Sequence, residues 1–179
     1  MPGNIFTTAL KGGMAFLSKD YEKMMELMID AEMKMFEGVN TPVIFLQNVV
    51  TDLLLGLRAY KLLYAFSAYV QKKYGAEAGF ITMNLPLLHK VLLEGGIKNP
   101  IICTSFNKEG FRMSGGTKAY EVIAAQNNAR IIAMQIFGGG FIAPQEAITY
   151  VNSVPGIHSI LFGASSAANI KQTVSLIHQ

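Results

Sequence analysis

Two segments near the C-terminus combine residues that could bind an anion. A strand-like run ends in Gly163-Ala164-Ser165-Ser166, and a helical pattern over Ala167–Ile177 follows it. Free N–H groups at a helix start, serine hydroxyls and the helix dipole favour a phosphate there, and Lys171 adds a full positive charge one turn along. The preceding strand-like run ends in Gly138-Gly139-Gly140, where backbone can approach a ligand closely. An ordinary strand, cap and helix would carry the same residues.

Most other chemically capable side chains favour structural roles. The single Cys103 falls in a buried strand pattern, and the three histidines are far apart, so neither a disulfide framework nor a zinc site is expected. His89 lies among apolar helix residues and is expected to be structural, while His158 is expected at the rim before the last strand, facing solvent. Asp52 could touch a substrate, but it is better placed as the N-cap of a helix that begins at Leu53.

Gln47 and Asn48 are polar residues at the end of an apolar strand pattern. If they are buried, they need partners, which could be a ligand or the neighbouring strand ends. The seven tyrosines fall inside helix patterns, where roles in the core or on helix surfaces are expected rather than catalysis.

Composition narrows the class of protein. The 179 residues are 51% hydrophobic and 15% charged, which excludes disorder, and the net charge of +3 comes from scattered basic residues. Nucleic acid and an anionic membrane surface are therefore not expected as partners. No apolar run is long enough to span a membrane, and no signal peptide is recognisable, so a soluble, cytoplasmic protein is expected.

Short apolar runs alternate with helix patterns in the βα rhythm of a single α/β domain over residues 1–179. The predicted strands are Asn4–Leu10, Pro42–Val50, Ala78–Asn84, Pro100–Phe106, Arg130–Phe137 and His158–Gly163. The predicted helices are Ser18–Phe36, Leu53–Tyr74, Pro86–Leu93, Thr117–Gln126, Pro144–Asn152 and Ala167–Ile177. An open parallel sheet and a closed eight-stranded barrel both fit this rhythm, although a complete barrel typically needs ~250 residues.

The C-terminal third resembles the aldo-keto reductases. The resemblance is strongest over Arg130–Ile177 and is carried by Ile131–Gly140, Gln145–Ile148 and Pro155–Ser166. Upstream it continues more loosely, with segments that match the family's third to sixth strands: Asn4–Lys11, Val43–Asn48, Ala78–Asn84 and Pro100–Asn107. The resemblance implies a TIM-barrel-like fold that keeps about six strands of an incomplete (β/α)8 barrel and apparently lacks the first two βα units.

In that family NADPH binds at the carboxyl ends of the strands, and hydride passes to a carbonyl while a Tyr donates the proton with help from Lys, His and Asp. Lys11 falls near the catalytic Lys and Gln47 replaces the His, but no residue here matches the Asp or the Tyr. The cofactor-binding residues implied by the resemblance are Thr82, Asn84, Asn107, Gly163, Ser165, Ser166, Lys171 and Gln172. Gln135 stands where the family has Lys, and Gln172-Thr173 replaces the pair that holds the adenine.

Three functions follow as hypotheses. The first is an NADP-dependent aldo-keto reductase-like oxidoreductase acting on a small carbonyl compound, or a truncated or degenerate relative of one. The second is a non-catalytic phosphate- or nucleotide-binding α/β module, and the third is a structural fragment that pairs with another chain. Self-association is expected, because a barrel that starts at its third strand would leave the edges of Asn4–Leu10 and His158–Gly163 open. The sequence does not name the substrate.

Overall fold

The computed structural model describes residues 20–177. The elements in chain order are α1 (Tyr21–Met33), a 3-10 turn (Lys34–Phe36), β1 (Val43–Leu46), α2 (Asn48–Gly56), α3 (Tyr60–Tyr74), β2 (Glu77–Thr82), α4 (Leu85–Glu94), β3 (Ile101–Ser105), α5 (Gly116–Ala125), β4 (Arg130–Met134), α6 (Pro144–Ser153), β5 (Ile157–Leu161) and α7 (Ala167–Ile177).

The five strands form one sheet in the order β1-β2-β3-β4-β5. Strands β2 to β5 pair in parallel, and each lies beside its neighbour in the chain. The α/β class and the parallel sheet are therefore confirmed, and within residues 20–177 the sheet is open. The predicted strand Asn4–Leu10 and the candidate Lys11 lie outside the described residues, so a sixth strand and closure into a barrel stay predictions.

Internal contacts divide the chain into two compact units. Of the described residues, the first unit holds 20–44 and Ala59–Ala78, and the second holds Phe45–Arg58 and 79–177. The prediction of a single domain stays a prediction.

In the first unit, a polar cluster around Asp30 joins α1 to α3. Its carboxylate accepts hydrogen bonds from the hydroxyls of Tyr69 and Tyr74, each at 2.7 Å, and from Lys73 Nζ. Lys73 Nζ also lies 3.0 Å from the Tyr69 hydroxyl. Because three donors converge on one carboxylate, Asp30 holds the α1–α3 pair in a fixed register.

In the second unit, β2, β3 and β4 share rows of completely buried residues on one face of the sheet. The register aligns Phe80 with Ile102 and Ile131, and all three are at most 1% exposed. Two residues further along each strand the row is Thr82, Thr104 and Ala133, which are fully buried. Connections between neighbouring parallel strands are right-handed in nearly all proteins, so we expect α4, α5 and α6 to pack on the same face of the sheet.

The prediction of one helix over Leu53–Tyr74 is wrong, because the helix is broken into α2 and α3. Arg58 adopts a left-handed φ of 56° between them, and residues after the break start a new helix at Tyr60. The predicted strand Pro42–Val50 is also too long, since α2 begins at Asn48. Apolar residues resume directly after each boundary, at Val49 and at Ala59, so the apolar spacing does not reveal either one.

β5 begins one residue before the predicted strand His158–Gly163. His158 is exposed, as expected, and it lies in β5 as an extra residue, because Ile131 pairs with Ile157 while Ile132 pairs with Ser159. Gly156 precedes this bulge with φ of 86°, and a Cβ there would lie 1.9 Å from the carbonyl oxygen of Ala124. Glycine is therefore required for β5 to pass the end of α5.

Candidate functional site

A cleft of about 440 Å³ lies at the carboxyl ends of β3, β4 and β5. We call it the carboxyl-edge cleft; it is lined by Phe111, Arg112, Gln135, Ile136, Phe137, Gly139, Gly140, Leu161, Phe162 and Gly163. Ligands of parallel α/β proteins bind at this edge, and pockets of ≈ 300–1,000 Å³ are typical of small-molecule sites. The sequence predicted a site at the ends of the last two strands, and the cleft lies there.

The loop after β3 is held by Asn107, which is completely buried. Its Oδ1 accepts a hydrogen bond from Phe111 N, and its Nδ2 donates to Phe111 O, each at 2.9 Å. The Nδ2 group also lies 3.4 Å from the carbonyl oxygen of Gln135, at the end of the next strand. Asn107, predicted as a cofactor ligand, therefore fixes one wall of the cleft, with its amide engaged by backbone.

This loop presents Arg112 to the cleft. The guanidinium lies 5.3 Å from the centre of the Phe111 ring, and the residue adopts φ of 55°, in the left-handed region. Non-glycine residues in that region are uncommon and cluster at functional sites. With residues 20–177, Arg112 makes neither a hydrogen bond nor an ion pair, so its five N–H donors are available to a ligand.

Gln135 forms the floor between the ends of β3 and β4. Its Oε1 accepts a hydrogen bond of 2.7 Å from the hydroxyl of Ser105, which leaves the two Nε2 protons without a partner among the described residues. The backbone φ of Gln135 is 53°, and Gly138, Gly139 and Gly140 continue the loop with positive φ. A glycine run is thus required by the turn itself, and it also lets the backbone line the cleft.

The start of α7 follows directly from the cleft. Ser166 Oγ accepts a hydrogen bond of 3.2 Å from Asn169 N, which confirms the predicted serine cap. Ser165 Oγ accepts from Asn169 Nδ2 at 3.0 Å. Lys171 and Gln172 are exposed on the first turns of the same helix. The four predicted cofactor residues of this segment therefore lie together within two helical turns.

Thr82 and Asn84, the other predicted cofactor residues, have internal partners. The Thr82 hydroxyl donates to Asp52 and accepts from Asn84 N at 2.8 Å. The Asn84 side chain caps α4 by accepting from Leu87 N at 3.3 Å. A role for either in cofactor binding stays a prediction.

The structure bears on two residues named near the end of β1. Gln47, the candidate at the catalytic His position, is exposed and Asn48 is half-buried, so they do not form a buried polar pair, and the role of Gln47 stays a prediction. Asp52 is not a helix N-cap, because α2 starts four residues earlier; its carboxylate instead accepts from Thr82 Oγ1 and from Met83 N. No sequence pattern marks this contact, which joins residues 30 positions apart.

Tyrosine side chains are absent from the lining of the cleft. The Tyr120 hydroxyl is buried between the backbones of Met83 and Leu85, and burial raises its pKa. Burial and the carboxylate of Glu121 raise the pKa of Tyr150. Both phenols are held protonated in structural positions, as the helix patterns predicted.

The remaining titratable candidates also have structural surroundings. His89 is 5% exposed, and its Nε2 lies 2.7 Å from Asn128 Oδ1. Cys103 is buried, and burial raises the pKa of its thiol to about 11. No cluster of metal-ligating side chains occurs within residues 20–177, and none of the helices described there is long and apolar enough to cross a membrane.

The fold is that of an α/β chain with a cleft at the carboxyl edge of a parallel sheet. Comparison with protein-family models and with curated proteins finds no match to this chain.

Proposed function

We propose that this chain is an aldo-keto reductase-like protein that binds NADP(H) along the carboxyl edge of its sheet. The adenosine end of the cofactor lies at the start of α7, and the rest of the molecule extends into the carboxyl-edge cleft. The proposal joins the sequence resemblance to the arrangement of the cleft and α7.

One observation carries the proposal. Gly163 lines the cleft, and Ser165, Ser166 and Lys171 follow it along the chain at the start of α7, so a helix N-terminus with a lysine comes directly after a cleft-lining residue. An extended dinucleotide has the same sequence of parts, with a phosphate at one end and a ring at the other. Helix starts favour phosphate because their N–H groups point outward and the dipole is positive there.

The strand order supports the barrel that the resemblance implies. In a doubly wound sheet the strand order reverses at a switch point, and the ligand binds at that point. Here each described strand lies beside its neighbour in the chain, as in a (β/α)8 barrel.

A non-catalytic, nucleotide-binding role is the second candidate, and the positions of the tyrosines and Gln135 favour it. Proton donation by a tuned acid contributes ~10²–10⁴ in rate. The cleft lining includes no tyrosine, and it has the uncharged amide of Gln135 where the family has a Lys. The two candidates share the cofactor site and differ in turnover.

The test has two parts. Titration with NADPH, followed by nucleotide fluorescence and by calorimetry, is expected to show saturable binding. The same titration is repeated with Lys171→Ala. Lys118→Ala, at a side chain 87% exposed on α5, is its matched control for the loss of one surface charge. Absence of NADPH binding to the folded chain would overturn the proposal.

Consumption of bound NADPH is then followed with a panel of aryl aldehydes and ketones. Oxidation that depends on the carbonyl compound identifies the oxidoreductase, and saturable binding without oxidation identifies the non-catalytic module.

A further inference from the structure

The residues that line the carboxyl-edge cleft include several hydrogen-bond donors without a partner among the described residues. They are the Arg112 guanidinium, Gln135 Nε2, and the backbone N–H groups of Gly139 and Gly163. None of the lining residues is an Asp or a Glu. These donors belong to the loops that follow β3, β4 and β5, and Arg112 is the one charged residue among those that line the cleft.

We propose that the cleft is a diphosphate-binding site in which Arg112 supplies the countercharge. This inference rests on the proposed function and deepens it, since it assigns the middle of the dinucleotide to a particular side chain. A diphosphate offers several anionic oxygens, and a guanidinium fork matches two of them at once. The N–H groups of a glycine-rich backbone complete such sites without adding bulk.

The neighbouring cation on the same loop is not available for this role. Lys108 Nζ pairs with the carboxylate of Glu146 and lies 3.6 Å from that of Glu109. Arg112 has no such acidic neighbour among the described residues. The loop therefore carries two cations, one already neutralised and one directed to the cleft.

Contacts within the loop hold the backbone on both sides of Arg112. Asn107 holds Phe111 by two hydrogen bonds, and the buried Met113 anchors the other side of Arg112. The Phe111 ring supports the guanidinium at 5.3 Å. Little conformational freedom of the loop backbone is then lost on binding, which favours affinity.

The experiment compares two nucleotides that share an adenosine but place phosphate differently. ADP-ribose carries a 5′-diphosphate without a 2′-phosphate, and adenosine 2′-monophosphate has the reverse. Calorimetric titrations use the full chain and the variants Arg112→Gln, Arg112→Lys and Lys171→Ala. Arg58→Gln is the matched control, because Arg58 is an exposed arginine with φ of 56° outside the cleft.

Charge-assisted hydrogen bonds of the kind proposed correspond to a change in affinity on the order of 10- to 100-fold. Arg112→Gln is expected to weaken the binding of ADP-ribose by that factor and to leave the affinity for adenosine 2′-monophosphate unchanged. Arg112→Lys is expected to lose part of the affinity, since charge remains while the fork is lost. Lys171→Ala is expected to weaken the binding of adenosine 2′-monophosphate and to leave that of ADP-ribose unchanged. Arg58→Gln is expected to change neither affinity.

The outcomes separate the two proposals. Equal affinity of wild type and Arg112→Gln for ADP-ribose, with both proteins folded by circular dichroism, overturns the diphosphate site while NADPH binding can still stand. Binding of inorganic pyrophosphate that depends on Arg112, without binding of any nucleotide, supports the diphosphate site and overturns the cofactor proposal. Absence of binding by pyrophosphate and by every nucleotide overturns both.

Discussion

The carboxylate of Asp52, on α2, accepts hydrogen bonds from the hydroxyl of Thr82 and from the backbone N–H of Met83, at the end of β2. Thr82 is completely buried, and its oxygen in turn accepts from Asn84 N, which starts the cap of α4. A single carboxylate thus satisfies a strand end and, through Thr82, the entry to the next helix.

Replacement of this carboxylate is expected to destabilise the protein. In Asp52→Asn, the amide NH₂ would face either the hydroxyl of Thr82 or the N–H of Met83, so one buried donor loses its acceptor. The expected loss is about 1–3 kcal/mol in the free energy of unfolding, measured by denaturant titration. Glu94→Gln is the control, because Glu94 is 60% exposed and lies 3.9 Å from Lys90. Equal stabilities of the two variants would show that the Asp52 contact is dispensable.

Gly156 and Gly96 offer a matched pair for testing a close backbone approach. Both have positive φ, of 86° and 81°, but a Cβ at Gly156 would lie 1.9 Å from Ala124 O while a Cβ at Gly96 would meet nothing within 4 Å. We expect Gly96→Ala to cost about 1 kcal/mol from backbone strain alone and Gly156→Ala to cost at least about 3 kcal/mol. Thermal and denaturant unfolding measure both, and similar losses at the two positions would contradict the predicted clash.

The Asp30 cluster is expected to make the first unit sensitive to acid. Partial burial raises the pKa of Asp30, but hydrogen bonds from Lys73, Tyr74 and Tyr69 outweigh it, and the pKa is lowered from its ordinary value of 3.8. A carboxyl whose pKa is lower in the folded state contributes stability above its unfolded pKa, and this contribution is lost as the pH falls through the folded value.

The unfolding free energy of wild type should therefore fall more steeply below about pH 4 than that of Asp30→Asn. At pH 7 the variant should be less stable, since Lys73 loses its ionic partner. Glu32→Gln, an exposed position on the same helix, is the control and should follow wild type. Parallel pH profiles for wild type and Asp30→Asn would refute this role for Asp30.

The thiol of Cys103 is expected to be inert in the folded protein. Burial raises its pKa to about 11, and the side chain is 2% exposed, so both thiolate formation and reagent access are suppressed at pH 8. A disulfide reagent that reports released thiolate should label Cys103 in denaturant and leave the native chain unlabelled over the same period. Stoichiometric labelling of the native protein within minutes would contradict the buried position.

The sequence predicted those features that depend on periodicity. The bounds of α7, Ala167–Ile177, match the structure, and each predicted strand from Pro42–Val50 onward overlaps an observed one. The location of the cleft followed from Gly138–Gly140 and Gly163, because parallel strands end at one edge. Repeating apolar spacing and glycine-rich ends are local signals, so they survive without knowledge of tertiary contacts.

Features that depend on tertiary contacts could not be predicted. Arg58 and Arg112 adopt left-handed backbone, for which an arginine gives no local signal. The pairing of Asp52 with Thr82 requires the sheet register, and the isolation of Arg112 from acidic neighbours becomes visible in the fold. Sequence reasoning therefore placed the candidate site at the edge where the cleft lies, and it missed Arg112, the cation that lines the cleft.

The comparison of NADPH with NADH tests the central claim most directly. If the start of α7 holds a 2′-phosphate against Ser165, Ser166 and Lys171, the dissociation constant for NADPH should be one to two orders of magnitude lower than that for NADH. A difference of this size corresponds to one or two charge-assisted hydrogen bonds. Lys171→Ala should remove most of that preference without changing the unfolding transition, because Lys171 is exposed. Equal affinity of the unmutated protein for the two cofactors would contradict the account.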